Sequence, residues 1–233
     1  MELFYTPESF HYNTTSITLS SGDSLIFPNH LNGGGDEQWS AFNTAITLYG
    51  KKNYNKGLEW CSGMGLLGFE CLLNNICNEI TFNDFFDLAV NSCINSAKDL
   101  NVENKVKTHL SPTLADLSSE EVYDFIIGNP PHVFEKDQFI KSTRDWAPDV
   151  SEDSVVQSCR MVLDAGGGIH KNFFEHVGKH IHKDTDIFIS GSIANIPQIE
   201  QMAAAANLKI VHDHTTDGDW EHSHIKIFHL RPF

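Results

Sequence analysis

The chain has 233 residues, of which 40% are hydrophobic and 11% aromatic, and its formal net charge is −15. This size suits one large α/β domain with a short addition, and no apolar run approaches the roughly 20 residues of a membrane span. With 31 acidic against 16 basic residues and no basic stripe, stable binding of naked DNA or RNA is disfavoured.

Residues 1–35 are predicted to form an N-terminal extension. Two β-prone runs, residues 14–19 and 24–27, flank a turn-rich cluster, and this pattern predicts a hairpin. A Gly-rich loop at 33–35 leads into the main domain, residues 36–233, whose first helix has Asp36 as a candidate N-cap.

Strands and helices alternate through the main domain. We expect strands over 58–61, 79–82, 106–110, 122–127, 187–190, 208–214 and 224–230, and helices over 66–76, 87–100, 151–163, 172–182 and 197–206. Such alternation predicts right-handed crossovers and a parallel, doubly wound sheet. The terminal strand pair, joined by a short turn, predicts an antiparallel edge.

A Gly-rich turn lies between the first predicted strand of this alternation and its helix. It runs from Glu59 through Cys61, Gly63 and Gly65 to Gly68. Glycines let the backbone approach a ligand, and a helix N-terminus favours negative partial charge. In isolation, a plain turn between strand and helix explains the pattern equally well.

Acidic residues follow the next two predicted strands. Asp84, with Phe85 beside it, ends one strand, and a carboxylate at such a tip can accept both hydroxyls of a ribose. An ordinary helix cap is the alternative for Asp84. Asp116 and Leu117 follow the third strand, where an ordinary loop is the alternative.

The most specific feature is Asn129-Pro130-Pro131-His132, directly after a short apolar strand. Two prolines cannot continue a strand, so the chain must leave the sheet there in a rigid turn. The Asn129 carboxamide and nearby carbonyls are then held at the carboxyl end of a strand, where open α/β sheets bind ligands. Uncharged hydrogen-bond acceptors that are held rigidly are suited to bind an NH2 group.

Together, these four elements resemble class I S-adenosylmethionine-dependent methyltransferases of the Asn-Pro-Pro-Tyr amino-methyltransferase group, which includes release-factor glutamine methyltransferases and small methyltransferase domains. The resemblance implies a Rossmann-like sheet of seven strands with an antiparallel last strand. The chain departs from the group at Cys61, where a glycine is usual, and at His132, where an aromatic ring is usual. The stretch 163–169 loosely resembles a Gly-Gly loop of release-factor enzymes, although a flexible glycine loop explains it as well.

The resemblance also implies a set of site residues. The cofactor, S-adenosylmethionine, is expected against Glu59, Gly63, Gly65, Asp84, Phe85, Asp116, Leu117 and Asn129. Asn129, Pro130 and His132 are expected to be catalytic: the Asn129 Oδ1 and the Pro130 carbonyl accept the two N–H bonds of the target, and His132 stacks on it with a pH dependence. Phe134 is a possible substitute for the stacking ring. A sulfonium methyl is already activated, so no metal is required.

The sequence leaves more than one chemical class of methyl acceptor open. A protein glutamine or a small molecule is favoured by the net charge, and a nucleobase amine is the alternative. Clustering of Lys51, Lys52, Lys56, Lys136 and Lys141 at the cleft would favour nucleic acid. A protein that kept the fold and binds the cofactor without catalysis is a third possibility, supported by Cys61 and His132.

Histidines, cysteines and the start of the chain complete the sequence predictions. If the terminal strands pair about Gly218, His212 faces His224 and His214 faces His222, which makes a metal site or, more plainly, a polar hairpin. The 5 cysteines include no C-x-x-C pair, which is typical of reduced thiols. Residues 1–5 lack the features of a signal peptide, so we expect a cytoplasmic protein.

Overall fold

The computed structural model describes residues 14–28, 31, 35–135, 137, 140–141, 163–215 and 225–233. Residues 33–34 of the Gly-rich loop, residues 151–162 of a predicted helix, and Gly218, His222 and His224 lie outside the described residues. Within the described part of the chain, no helix combines the length and apolar character needed to cross a membrane.

The predicted N-terminal hairpin is present. Strands β1 (Thr14–Thr18) and β2 (Ser24–Pro28) pair antiparallel. Leu25 and Phe27 of β2 are fully buried in the same apolar core as the helices that follow. The turn is anchored by the buried carboxylate of Glu70, which accepts hydrogen bonds from the Ser20 backbone N–H at 2.8 Å and from its hydroxyl.

The remaining elements alternate as the sequence predicts. The helices are α1 (Gly35–Tyr49), α2 (Leu66–Leu73), α3 (Asp87–Asp99), α4 (Gly168–Val177) and α5 (Ile196–Ala205). The strands are β3 (Tyr54–Trp60), β4 (Cys77–Asp84), β5 (Val106–Leu110), β6 (Tyr123–Gly128), β7 (Ile181–Ser192), β8 (Leu208–Thr215) and β9 (Ile225–Pro232).

These seven strands form one sheet in the order β5-β4-β3-β6-β7-β9-β8. Strands β3, β4, β5, β6 and β7 run parallel to one another, whereas β9 is antiparallel to both β7 and β8. The predicted Rossmann-like fold with an antiparallel last strand is therefore confirmed. The strand order reverses between β3 and β6, and ligands bind at this point in open α/β sheets.

Both faces of the sheet are covered by helices. Successive residues of a strand point to opposite sides, so each strand contributes side chains to both cores. Phe125 and Ile127 of β6 join the core that contains residues of α1, α2 and α3. Ile126, between them, joins a second core with residues of α4 and α5. A strand buried on both faces reads as a continuous apolar run, which is the pattern that predicted β6.

Three local predictions were wrong. Helix α1 begins at Gly35, so Asp36 lies inside the helix and is not its N-cap. The helix expected over 172–182 is α4, which begins at Gly168 and ends at Val177, because Asp164 caps its start; β7 already begins at Ile181. The pairing of the terminal strands about Gly218 was also wrong, since His212 lies opposite His229.

The register of the terminal strands has a physical cause. Strand β9 lies between β7 and β8, and its Ile227, Phe228 and Leu230 are buried. Ile227 packs in the core that contains residues of α1 to α3, whereas Phe228 and Leu230 pack in the core that contains residues of α4 and α5. A slip by one residue would exchange these side chains between the two cores, so burial fixes the pairing. His212 stacks on Tyr49 with ring centroids 4.3 Å apart. No group of three or more potential ligands for a metal ion occurs among the described residues.

A cluster of ionisable side chains around the buried Asp186 stabilises β7. It lies away from the carboxyl ends of β6 and β7, near which Gly128 and Ser190 are found. The Asp186 carboxylate accepts hydrogen bonds from Tyr54 and His229, each at 2.8 Å, and from Arg231. Burial alone would raise the pKa of Asp186, but the hydrogen bonds from His229, Arg231 and Tyr54 outweigh it and lower the pKa to about 2. The cluster thus favours the ionised carboxylate.

Replacing Asp186 with asparagine should destabilise the fold by roughly 3 kcal/mol, because Tyr54, His229 and Arg231 lose a buried, charged hydrogen-bond acceptor. Denaturant unfolding at pH 7 measures this. The depressed pKa stabilises the fold above pH 4 or so, and this stability is lost as pH falls toward the folded pKa of about 2. The wild-type protein should therefore lose more stability between about pH 4 and 2 than the variant. Asp213→Asn, in an exposed pair with Lys226, is the control and should change stability by less than about 1 kcal/mol.

Candidate active site

The Gly-rich turn between β3 and α2 adopts a conformation that favours glycine. Cys61, Gly63 and Gly65 have φ angles of 54°, 51° and 82°. A Cβ on Gly65 would lie 2.9 Å from the Cys93 Sγ, so glycine is also required there by space. Cys61 holds a left-handed conformation without glycine's freedom, which costs of order 1 kcal/mol and explains why this position favours glycine.

Glu59 supports the turn from inside the protein. Its carboxylate is buried and accepts a hydrogen bond at 2.7 Å from the Gly68 N–H in the first turn of α2. A Cβ on Gly68 would lie 2.6 Å from the same carboxylate oxygen. Burial raises the pKa of Glu59 well above its ordinary value. In this structure its contacts are with the helix start that shapes the turn.

Asp84 is brought to the Gly-rich turn by the pairing of β3 with β4. Its Oδ2 accepts the Gly63 N–H at 2.9 Å, and its Oδ1 accepts the Phe86 N–H at 3.0 Å. Burial raises the pKa of Asp84. Phe85, next to it, leaves 56% of its surface exposed, which is unusual for so large an apolar ring and suits stacking against a ligand.

The third predicted element lies beside Asp84. Ser111, after β5, donates its N–H to the Asp84 carbonyl at 2.9 Å and its hydroxyl to Asp116 Oδ2 at 2.6 Å. Asp116 ends the 3₁₀ turn Leu114–Asp116 and is exposed, while Leu117 is nearly buried. The structure thus brings together the second and third acidic elements through Ser111, which the sequence analysis missed.

Asn129 follows β6 directly beside the Gly-rich turn, because Gly128 pairs with Trp60. A Cβ on Gly128 would lie 2.7 Å from the Trp60 carbonyl oxygen, so the two strands meet without room for a side chain. The Asn129 Oδ1 accepts a hydrogen bond from the hydroxyl of Ser190 in β7. Ser190 is buried and was also missed; its signal is a polar residue ending an apolar strand run.

His132 is held close to the backbone of its own turn. A ring N–H donates to the Pro130 carbonyl, and burial lowers the pKa of His132 to about 4. The ring is therefore neutral at physiological pH, so its titration lies below the range expected of histidine. The His132 carbonyl accepts the Asn195 side-chain N–H at 2.9 Å.

Phe134 does not offer a stacking ring for the acceptor. It is buried, and its ring contacts His170 edge-on with centroids 5.3 Å apart. The glycine at 167 is needed here too, because a Cβ on it would lie 3.0 Å from the Phe134 ring. The substitute role expected for Phe134 is wrong because packing fills the space around its ring.

Three of the five lysines whose clustering at the cleft would favour nucleic acid lie away from it. Lys51 precedes β3 and contacts the Asp184 carbonyl, and Lys56 lies early in β3 and pairs with Glu121. Lys52 is adjacent to Lys51, so three of the predicted lysines lie at the amino ends of the parallel strands, opposite the turn at Asn129. Lys136 lies outside the described residues, and Lys141 is exposed.

These residues fit S-adenosylmethionine chemically. Left-handed backbone at Gly63 and Gly65 keeps side chains away from a ligand, and Asp84 provides a carboxylate beside that backbone. The exposed Phe85 provides an apolar ring for a planar base. All four positions follow β3 or β4, next to the strand-order reversal.

Comparisons with known proteins agree with this geometry. The ribosomal protein L11 methylase of Lactobacillus delbrueckii subsp. bulgaricus superposes with a TM-score of 0.60 at 14% identity, covering 89% of this chain and 84% of that chain. The M1A22 tRNA methyltransferase TrmK of Bacillus subtilis superposes with a TM-score of 0.56 at 8% identity, covering 82% of this chain and 64% of that chain. At these identities the likeness shows a shared fold. No curated protein sequence matches the chain.

A family match provides the identification. The methyltransferase small domain family matches residues 45–169, which include the Gly-rich turn, Asp84, Asp116 and the Asn129 turn. This is more than half of the 233 residues. The chain therefore belongs to the methyltransferase small domain family and is a methyltransferase, for which the family implies S-adenosylmethionine as the methyl donor.

Proposed function

We propose that this enzyme methylates the nitrogen of a planar NH2 group, in an amide or an exocyclic amine, as the Asn-Pro-Pro amino-methyltransferase group does. The observation that carries the proposal is the anchored Asn129 carboxamide beside the Gly-rich turn. The Pro130 carbonyl follows it directly in a rigid turn. An NH2 group donates two hydrogen bonds, whereas a hydroxyl donates one, so two neighbouring acceptors favour nitrogen.

The proposed cofactor site is built from the turn and the two acidic elements. The backbone at Gly63 and Gly65 lies against the cofactor, and Asp84 accepts hydrogen bonds from its ribose. Phe85 packs on the adenine face. The exposed Asp116 carboxylate is placed to accept the adenine amino group.

Three further residues complete this assignment. Leu117 supplies an apolar wall, Glu59 maintains the turn through its bond to Gly68, and Asn129 lies between the cofactor and the acceptor. We assign residues 36–233 to the methyltransferase domain and residues 1–35 to an extension. The Leu31 carbonyl lies 3.5 Å from where a Cβ on Gly63 would be, so this extension reaches the proposed site.

When bound, S-adenosylmethionine supplies a methyl group already activated by its sulfonium. The residues of the chain then orient the acceptor nitrogen and stabilise the charge that develops on it. The Ser190 hydroxyl fixes Asn129 Oδ1, and the His132 N–H fixes the Pro130 carbonyl. A carbonyl oxygen has two lone pairs, so an oxygen that accepts one hydrogen bond can also accept an N–H of the methyl acceptor. The neutral His132 ring packs on the planar acceptor.

A protein glutamine is the favoured acceptor, with a small-molecule amide next. The exposed carboxylates of Asp87, Asp116 and Glu135 follow the carboxyl ends of β4, β5 and β6. They would repel a phosphate backbone, whose binding depends on lysine and arginine. Lys51 and Lys56 already have partners at the opposite strand ends. A nucleobase amine is the competing acceptor.

The test is a methyl-transfer screen with S-adenosylmethionine labelled in its methyl group. Glutamine-containing proteins and peptides, small amides, transfer RNA, ribosomal RNA and DNA are offered in parallel, and mass spectrometry locates the methyl group. We expect an N-methylated amide that Asn129→Ala does not produce. Methylation of an oxygen or carbon would refute the proposal, and a methylated nucleobase would transfer it to the competing acceptor. Cofactor binding without transfer to any acceptor would support a non-catalytic protein.

A further inference from the structure

A buried carboxylate–imidazole pair lies at the start of α4, outside the residues assigned so far. Asp164 and His170 are 2% and 0% exposed, and His170 Nδ1 lies 2.8 Å from Asp164 Oδ2. The same carboxylate accepts the backbone N–H groups of Ile169 at 2.7 Å and His170 at 3.0 Å. Asp164 therefore caps the helix and orients the imidazole at once.

The His170 ring contacts two aromatic residues that adjoin the two halves of the proposed site. Its centroid lies 5.7 Å from the Trp60 ring and 5.3 Å from the Phe134 ring, with edge-on geometry in both contacts. Trp60 ends β3 immediately before the Gly-rich turn, and Phe134 lies two residues after His132. The imidazole thus packs between the residue before the Gly-rich turn, here called the cofactor turn, and a residue just after the Asn129–His132 turn, here called the acceptor turn.

The backbone around Asp164 fastens the same segment. Its N–H donates to the Val133 carbonyl at 2.9 Å, and the Gly166 N–H donates to the Phe134 carbonyl at 3.0 Å. Val133 also forms a parallel bridge with Leu163. The acceptor turn, Asn129–His132, is therefore followed at once by a segment whose position depends on the loop that Asp164 begins.

Burying the His170 imidazole of this pair has a free-energy cost. His170 Nε2 is buried and has no hydrogen-bond partner among the described residues. An unpaired buried polar atom costs about 1–3 kcal/mol, and an apolar ring of similar size would avoid that cost. The imidazole is kept at this cost, and what it contributes that an apolar ring cannot is the bond from its Nδ1 to Asp164.

We propose that the Asp164–His170 pair is a positioning device that holds the acceptor turn in register with the cofactor turn. It acts through Phe134 and Val133 and does not touch the substrate. This inference rests on the proposed function, because it takes Asn129–His132 as the acceptor site. It adds two residues from α4 and its cap, 35 or more positions beyond Asn129 in the sequence, that govern the geometry of transfer.

The test compares His170→Phe with His176→Phe, the same substitution on the same helix. His170→Phe keeps an aromatic ring but removes the bond to Asp164, and we expect kcat to fall roughly 10- to 100-fold, the scale of a small misplacement of reacting groups. The melting temperature should fall by a few degrees, because the buried Asp164 carboxylate loses one partner, so kcat is measured well below it. Affinity for S-adenosylmethionine and KM for the acceptor should change less than threefold or so. His170→Asn, which keeps a donor toward Asp164, should restore part of kcat. His176→Phe should leave kcat unchanged.

Hydrogen exchange provides a readout that does not depend on the identity of the acceptor. In His170→Phe, the backbone amides of Val133, Phe134 and Gly166 should exchange faster, while those of β3 and α2 should not. If no acceptor shows transfer, the proposed function fails, and this exchange pattern still decides the positioning role. Unchanged kcat with unchanged exchange would overturn the inference. Should His170→Phe fail to fold, Asp164→Asn, which keeps one of the two backbone cap bonds and removes the charge of the pair, undergoes the same measurements.

Discussion

Replacing Asn129 with alanine should lower the rate of methyl transfer by roughly 10²–10³-fold, the cost of removing one group that stabilises transition-state charge. The Asn129 Oδ1 lies at the end of β6, where it is fixed by Ser190, so it is already oriented before the acceptor binds. Because the proposed partner of Asn129 is the acceptor nitrogen, affinity for S-adenosylmethionine should change little. The loss should appear in the rate constant for methyl transfer measured under single-turnover conditions.

Two further variants sharpen this prediction. Ser190→Ala removes the bond that orients Asn129 but leaves the carboxamide, so its kcat should fall between those of the wild-type protein and Asn129→Ala. Asn95→Ala, on the exposed side of α3, is the matched control and should behave as wild type. Full turnover by Asn129→Ala on the identified acceptor would show that its carboxamide has no catalytic role.

Replacing Asp84 with asparagine should raise the Kd for S-adenosylmethionine by roughly 10- to 100-fold, the value of losing charge-assisted hydrogen bonds. Asparagine keeps the size of the side chain and one acceptor oxygen, so the contact with the Gly63 N–H can persist. Calorimetry with the cofactor and with its demethylated product measures the change. Asp87→Asn, three residues away and exposed, is the control and should alter Kd less than about twofold.

Because of Asp84, we also expect cofactor binding to depend on pH. Burial raises the pKa of Asp84, and only its ionised form is a full acceptor for ribose hydroxyls. Affinity should therefore be greatest at high pH and should fall as pH drops through this raised pKa, above the range where an exposed aspartate titrates. Asp84→Asn should remove that dependence. A wild-type Kd that is flat from pH 8 down to pH 4 would contradict the assignment.

Short-range patterns in the sequence were sufficient to predict the sheet. Apolar runs with β-branched residues gave β6 and β7, and glycines that need left-handed backbone marked the turn before α2. The acidic residues and Asn129 were found because each follows a strand, and parallel strands place their carboxyl ends at one edge of the sheet.

Long-range contacts could not be predicted in the same way. Ser190 lies 61 residues beyond Asn129, and no local pattern indicates that β7 pairs with β6 at that position. His170 was given no role, because it lies between the glycine loop at 163–169 and the helix expected from residue 172, and its partner Asp164 belongs to that loop. The register of β8 and β9 depended on which residues β7 buries, and that information lies more than 30 positions upstream.

The position of β9 has a consequence for how the molecule folds. Strand β8 is synthesised before β9, yet among the described strands it joins the sheet only through β9. Until residues 225–232 leave the ribosome, β7 has an open edge and β8 has no partner. An open edge is a template for pairing with another chain, so a nascent chain stalled within the preceding segment would be prone to aggregation.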